Sequence, residues 1–80
     1  MHKAQFERIT SAIEFTLRQL ADGPRPRGEE EALSTYENRS VNWYRTKTKF
    51  VLYAIELVRP YDFARAHRYF DKLTEIRRSI

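Results

Sequence analysis

Residues 6–20 read FERITSAIEFTLRQL, and the spacing in this stretch decides the fold. Phe6, Ile9, Ile13, Leu17 and Leu20 recur at steps of 3, 4, 4 and 3, which puts them on one helical stripe. Lys3, Glu7, Arg8, Glu14, Arg18 and Gln19 fall mostly on the opposite side. Phe15 sits off the stripe beside Ala12 and predicts a second, weaker contact face. Asp22-Gly23-Pro24 supplies the ending, because Gly suits a left-handed cap and Pro cannot continue the hydrogen-bond ladder. A helix is expected over 3–21.

The segments that follow are read against this one. DGPRPRG, residues 22–28, predicts a connector, since each proline biases the residue before it away from the helical region. A sharper reading turns Arg25 and Arg27 toward the carboxylates or phosphates of a partner. Glu29-Glu30-Glu31 suits a helix start, where the macrodipole is positive, and Ala32, Leu33 and Tyr36 predict a short helix of two to three turns. Ser40 is a candidate cap for a third helix. In that helix Trp43, Phe50, Ala54, Leu57 and Val58 share a face that Val51, Leu52 and Ile55 widen. From Phe50 to Val58 nearly every position but Glu56 is apolar, so this is the expected central helix. Val41–Lys47 reads either as part of it or as an extended lead-in to a start near Thr46. Arg59-Pro60 ends it. In the last segment Asp62 is the expected N-cap, and Ala66, Tyr69, Leu73, Ile76 and Ile80 step by 3, 4, 3 and 4. Phe63 and Phe70 lie on the edge of that stripe, and Lys72, Arg77 and Arg78 complement the negative end of the dipole.

No strand pair with hairpin turn chemistry interrupts these segments, and no internal repeat or sustained heptad is present. Short links between helices favour antiparallel neighbours. The expected fold is all-α, a small antiparallel bundle of three to four helices in one domain spanning residues 1–80.

Composition bounds the function. Of 80 residues 41% are apolar and 14% aromatic, with only two Gly and three Pro, which excludes a disordered or loop-rich chain. A chain this short buries only about 60–65% of its unfolded surface, so a large pocket in a thick core is not expected. Zero Cys excludes a disulfide scaffold and thiolate metal sites, and fits a reducing compartment. No apolar run reaches the roughly 18–20 residues of a membrane span, and MHKAQFER lacks the apolar core of a signal peptide. A cytoplasmic location without membrane contact is the expectation.

The net charge of +4 is unevenly spread. Residues 29–38 carry four acids and no base (Glu29, Glu30, Glu31, Glu37), whereas 39–49 carry four bases and no acid (Arg39, Arg45, Lys47, Lys49). The final segment adds Arg65, Arg68, Lys72, Arg77 and Arg78 against Asp71 and Glu75. Arg outnumbers Lys 11 to 4, and its planar fork binds carboxylate or phosphate bidentately, although GC-rich codon usage produces the same bias. Trp43 and Tyr44 lie within the basic stretch, and bases interleaved with aromatics suit single-stranded nucleic acid. A Trp at helical spacing from Phe50 is more often a core or rim residue. The candidate binding residues are Arg39, Trp43, Tyr44, Arg45, Lys47, Lys49, Arg65 and Arg68.

A helix-turn-helix reader is disfavoured, because the Gly-bearing link holds two prolines and opens onto three glutamates that would repel phosphate. His67 and Asp71 are spaced to share a helix face, which a surface pair or an aromatic-packed edge explains better than a general base oriented by a carboxylate does. No phosphate loop, nucleophile elbow, His-x-x-x-His or diiron spacing is present, so neither an enzyme nor a bound metal or cofactor is expected.

Two functions remain. The first is a non-enzymatic protein-binding module, an inhibitor or adaptor docking on a larger protein or nucleoprotein complex, with a homodimer as a variant. Eleven aromatics exceed what a core this small needs, and Tyr, Trp and Arg dominate interface hot spots. Small charge-polarised proteins without catalytic motifs are common among phage and mobile-element products, an association of type that favours an inhibitor. The second is a nucleic-acid binder using Arg39, Arg45, Lys47 and Lys49, with Arg65 and Arg68 added.

Overall fold

Three helices make up the chain in the computed structural model, which describes residues 1–79: α1 (Lys3–Asp22), α2 (Leu33–Val58) and α3 (Phe63–Arg78). No strand occurs among the described residues. Helix α1 starts on a reciprocal cap. The His2 ring accepts a hydrogen bond from the Ala4 amide at 3.1 Å, and the Gln5 side chain accepts one from the His2 amide at 3.3 Å. It ends at Gly23, whose φ of 89° is the left-handed region, and a Cβ there would lie 3.4 Å from the Tyr44 hydroxyl. Helix α3 starts as its sequence predicts, with the Asp62 carboxylate accepting from the Arg65 amide at 3.0 Å.

The middle of the chain departs from expectation. A short helix from Glu29 and a separate one from Ser40 were expected; a single 26-residue helix begins at Leu33 instead. No Gly or Pro lies between Gly28 and Pro60 to break it. Glu29 and Glu30 stay in the turn before the helix, where the Glu31 amide bonds the Gly28 carbonyl at 3.2 Å. Ser40 therefore caps nothing. It lies two turns inside α2, and its hydroxyl is buried without a partner.

The core draws on all three helices: Ile13, Leu17 and Leu20 of α1, Val51, Ala54, Ile55 and Val58 of α2, and Ala66, Tyr69, Leu73 and Ile76 of α3. The α1 and α3 stripes are those read from the sequence, and Ile80 lies outside the described residues. Phe6, Ile9, Trp43, Tyr44 and Leu52 pack against the periphery. The face of α2 is rotated from the expected one. Phe50 and Leu57 are exposed, while Val51 and Ile55, read as flanking positions, are at its centre. Two buried threonines stay satisfied by bonding their own helix, Thr16 to the Ala12 carbonyl at 2.7 Å and Thr10 to that of Glu7 at 3.1 Å.

Contacts between the ends of the helices fix how they meet. The Met1 amino group donates to the Tyr61 hydroxyl at 3.0 Å, so the start of α1 lies by the end of α2. Asp22, Gly23, Tyr44, Ile76 and Ser79 line one cavity of about 410 Å³, which puts the ends of α1 and α3 beside the middle of α2. The first turns of α2 thus extend past both neighbours. The molecule measures 46 × 24 × 15 Å. Its radius of gyration is 14.6 Å, against about 11.6 Å for a globule of this length.

Candidate interaction surface

From Leu33 to Phe50 helix α2 carries no buried residue. Leu33 and Val41 are each 54% exposed, and Tyr36, Trp43 and Tyr44 are half-buried. Trp43 sets its ring edge-on to Tyr44, with centroids 5.0 Å apart, and both pack against the rim of the core. Only the link 23–32 lies along the projecting turns, and Arg39 holds it there. The Arg39 guanidinium bonds the Glu31 carboxylate twice at 2.9 Å and the Arg25 carbonyl at 3.1 Å, and lies over the Tyr36 ring at 5.1 Å. The Gly28 amide adds a third bond to Glu31, at 3.1 Å.

This clasp has a pH signature. The bonds from Arg39, then the one from the Gly28 amide, hold the Glu31 carboxyl down at about 2, against an ordinary value of 4.5. A carboxyl lowered on folding stabilises the folded link fully above about pH 4.5, and that contribution is lost as pH falls toward 2. The Glu31 side-chain carboxyl resonance is expected to titrate with a midpoint near 2, and Arg39→Ala should return it toward 4.5. A wild-type midpoint near 4.5 would mean that the clasp does not form.

The eight sequence-predicted residues do not share one surface. Arg39 is committed to Glu31. Arg65 is committed to the α1–α3 seam, donating to the Tyr69 hydroxyl at 2.8 Å and to Glu14 at 3.0 Å, while the Tyr69 hydroxyl also bonds Glu14. That clamp lowers the Glu14 carboxyl, through the Tyr69 bond first and the Arg65 bond second. Arg68 is exposed on α3, and Lys47 is half-buried on α2. Tyr44, Arg45 and Lys49 do come together, and they form a groove of about 440 Å³ with Val41, Thr48 and Arg77.

Arg77 enters from α3 and was not among the residues singled out from the sequence; only its place on the basic last helix hinted at it. Arg45, Lys49 and Arg77 pair with no acid among the described residues. The groove is thus a basic slot whose lining also includes the apolar Val41 and the aromatic Tyr44. Its cations suit a carboxylate-bearing or phosphate-bearing partner.

Elsewhere, His67 Nε2 lies 3.5 Å from Asp71 on the open surface, and the His67 ring stacks on Phe63. Among the described residues no group of three or more His, Cys, Asp or Glu side chains converges to hold a metal ion, and no helix is long and apolar enough to cross a membrane. No family model, curated protein or solved structure matches this chain.

Proposed function

We propose that this chain is a non-enzymatic protein-binding module, an antiparallel helical bundle that docks on a larger partner, as an inhibitor or adaptor, through the first half of α2. One observation carries the reading: from Leu33 to Phe50, more than four turns, the helix fully buries no residue, and only Trp43 and Tyr44 reach the rim of the core. Isolated helices of this length are marginal in water, and packing of a face is what ordinarily stabilises them. The exposed Leu33 and Val41 beside Tyr36, Trp43 and Tyr44 supply the apolar and aromatic centre that interfaces favour. Charged residues ring that centre.

A photocrosslinker at Val41 tests this directly. It is expected to form an adduct with a protein chain, whereas the same group at Ala64, exposed on α3, gives none. Adducts at neither position, or equally at both, would reject the assignment to α2.

The groove also supports a second reading, nucleic-acid binding, because three cations with no acidic partner among the described residues flank an aromatic ring there. Under that reading Trp43 emission responds to added oligonucleotide, and the response weakens steeply between about 50 and 200 mM salt as counterion release demands. Arg45→Glu together with Lys49→Glu should abolish it. No response at the lower salt removes this reading.

A further inference from the structure

We propose that α2 also pairs with a second copy of this chain, the two helices crossing antiparallel about Val41 and covering the docking face until a larger partner displaces the copy; this rests on the protein-binding reading above. Leu33, Glu37, Val41, Arg45 and Lys49 follow one another at intervals of four residues, so they form a single ridge along α2. Along this ridge the order is apolar, acid, apolar, base, base. A two-fold axis through Val41 sets Glu37 of one copy against Arg45 of the other, and the reverse pair forms at the same time. Val41 of each copy meets its equivalent at the axis.

The charge inventory points to self-pairing rather than to a merely acidic partner. Of the four acids in 29–38, Glu31 is taken by Arg39 within the chain. Glu29, Glu30 and Glu37 have no cationic partner among the described residues. Across the ridge Arg45, Lys49 and Arg77 have no anionic one. A heterologous acidic partner would satisfy the bases and leave the acids unmatched. A second copy offers both signs at once, pairing Glu37 with Arg45 twice over, and the contact closes on itself as an isologous interface.

Space permits it. The ends of α1 and α3 gather beside Tyr44, leaving the flank of α2 from Leu33 to Val41 uncovered by any helix. The start of the second α2, with its exposed Leu33 and its Glu37, then enters the groove that Arg45, Lys49 and Arg77 surround. The ridge from Leu33 to Lys49 is about 24 Å long at 1.5 Å per residue. A strip of that length and about 10 Å wide, one helix diameter, covers roughly 240 Å² per copy, well below the roughly 800 Å² per partner of a standard interface. The pairing should therefore be weak, with a micromolar dissociation constant, and should weaken with salt.

Sedimentation equilibrium tests this on the full chain between about 1 and 300 μM, a range that brackets micromolar dissociation. The weight-average mass is expected to rise from 9.7 kDa toward twice that value. Glu37→Arg alone and Arg45→Glu alone each place like charges opposite one another, and each should weaken association at least 10-fold. The double variant Glu37→Arg/Arg45→Glu restores opposite charges and should return the dissociation constant to within about 3-fold of wild type. Both positions are exposed, and equal far-UV circular dichroism across the four proteins confirms folding. A mass of 9.7 kDa throughout the range, a dimer indifferent to both single reversals, or a double variant no better than the singles overturns the proposal. If a Val41 crosslinker then still captures a different protein, the protein-binding reading stands and only the self-pairing fails.

Discussion

Ile55→Ala is expected to remove about 2–5 kcal/mol of stability, the largest loss on truncating any of the buried α2 side chains. Ile55 is 1% exposed and sits among Val51, Val58 and the core residues of α1 and α3, so truncation leaves a cavity lined by three helices. A domain of this size has only about 4–12 kcal/mol in total at the usual 0.05–0.15 kcal/mol per residue. One truncated side chain therefore takes a large share of it. The control lies two residues on. Leu57 is 36% exposed, and Leu57→Ala should cost under about 1 kcal/mol despite being the same kind of truncation. Phe50, at 42% exposed, should behave like Leu57. Urea midpoints at constant m-value read these differences. A larger loss at Leu57 than at Ile55 would rotate α2 back onto the Phe50–Ala54–Leu57 face that the spacing suggested.

That rotation marks where the sequence stops being legible. In α1 and α3 apolar residues alternate with polar ones, so only one stripe can turn inward, and Gly23-Pro24, Pro60 and Asp62 punctuate the ends. Between Phe50 and Val58 almost every position is apolar, and any of several faces would satisfy a helical period. The choice is made by the angle at which α1 and α3 close on α2, which no local pattern encodes. The continuity of α2 was hidden for the opposite reason. Residues 34–49 are too polar to show a stripe, because only Trp43 and Tyr44 among them reach the rim of the core, and the acid triplet resembled a helix start while it belongs to a turn.

The candidate site divides along the same line. Arg45, Lys49 and Tyr44 are neighbours in sequence and on one helix, so their grouping could be read directly. Arg39 and Arg65 looked equally available until the fold supplied Glu31 across the link and Glu14 from α1. Arg77 could join the groove only once α3 had folded back along α2. A cation in a sequence is a candidate; its availability is decided by which carboxylates the chain brings to it.

Hydrogen exchange along α2 should expose a sharp energetic divide within one unbroken helix. Amides from Val51 to Val58 are locked to the core and should exchange only through global unfolding. Amides from Glu37 to Tyr44 have no fully buried residue among them and depend on the Arg39 clasp, on the rim contacts of Trp43 and Tyr44 and on continuity with the core half. At dilute protein they should exchange at least about 100-fold faster, a difference of roughly 2.8 kcal/mol at 1.4 kcal/mol per decade. Arg39→Ala should widen the gap by freeing the link while leaving 51–58 unchanged. Raising the protein concentration should narrow it from the other side. A bound copy protects the projecting turns and contributes little to a core that is already closed. Uniform protection along α2 at every concentration would mean that the helix is one cooperative unit. The projecting half would then need no partner to complete it, and the observation behind the protein-binding reading would have an internal explanation instead.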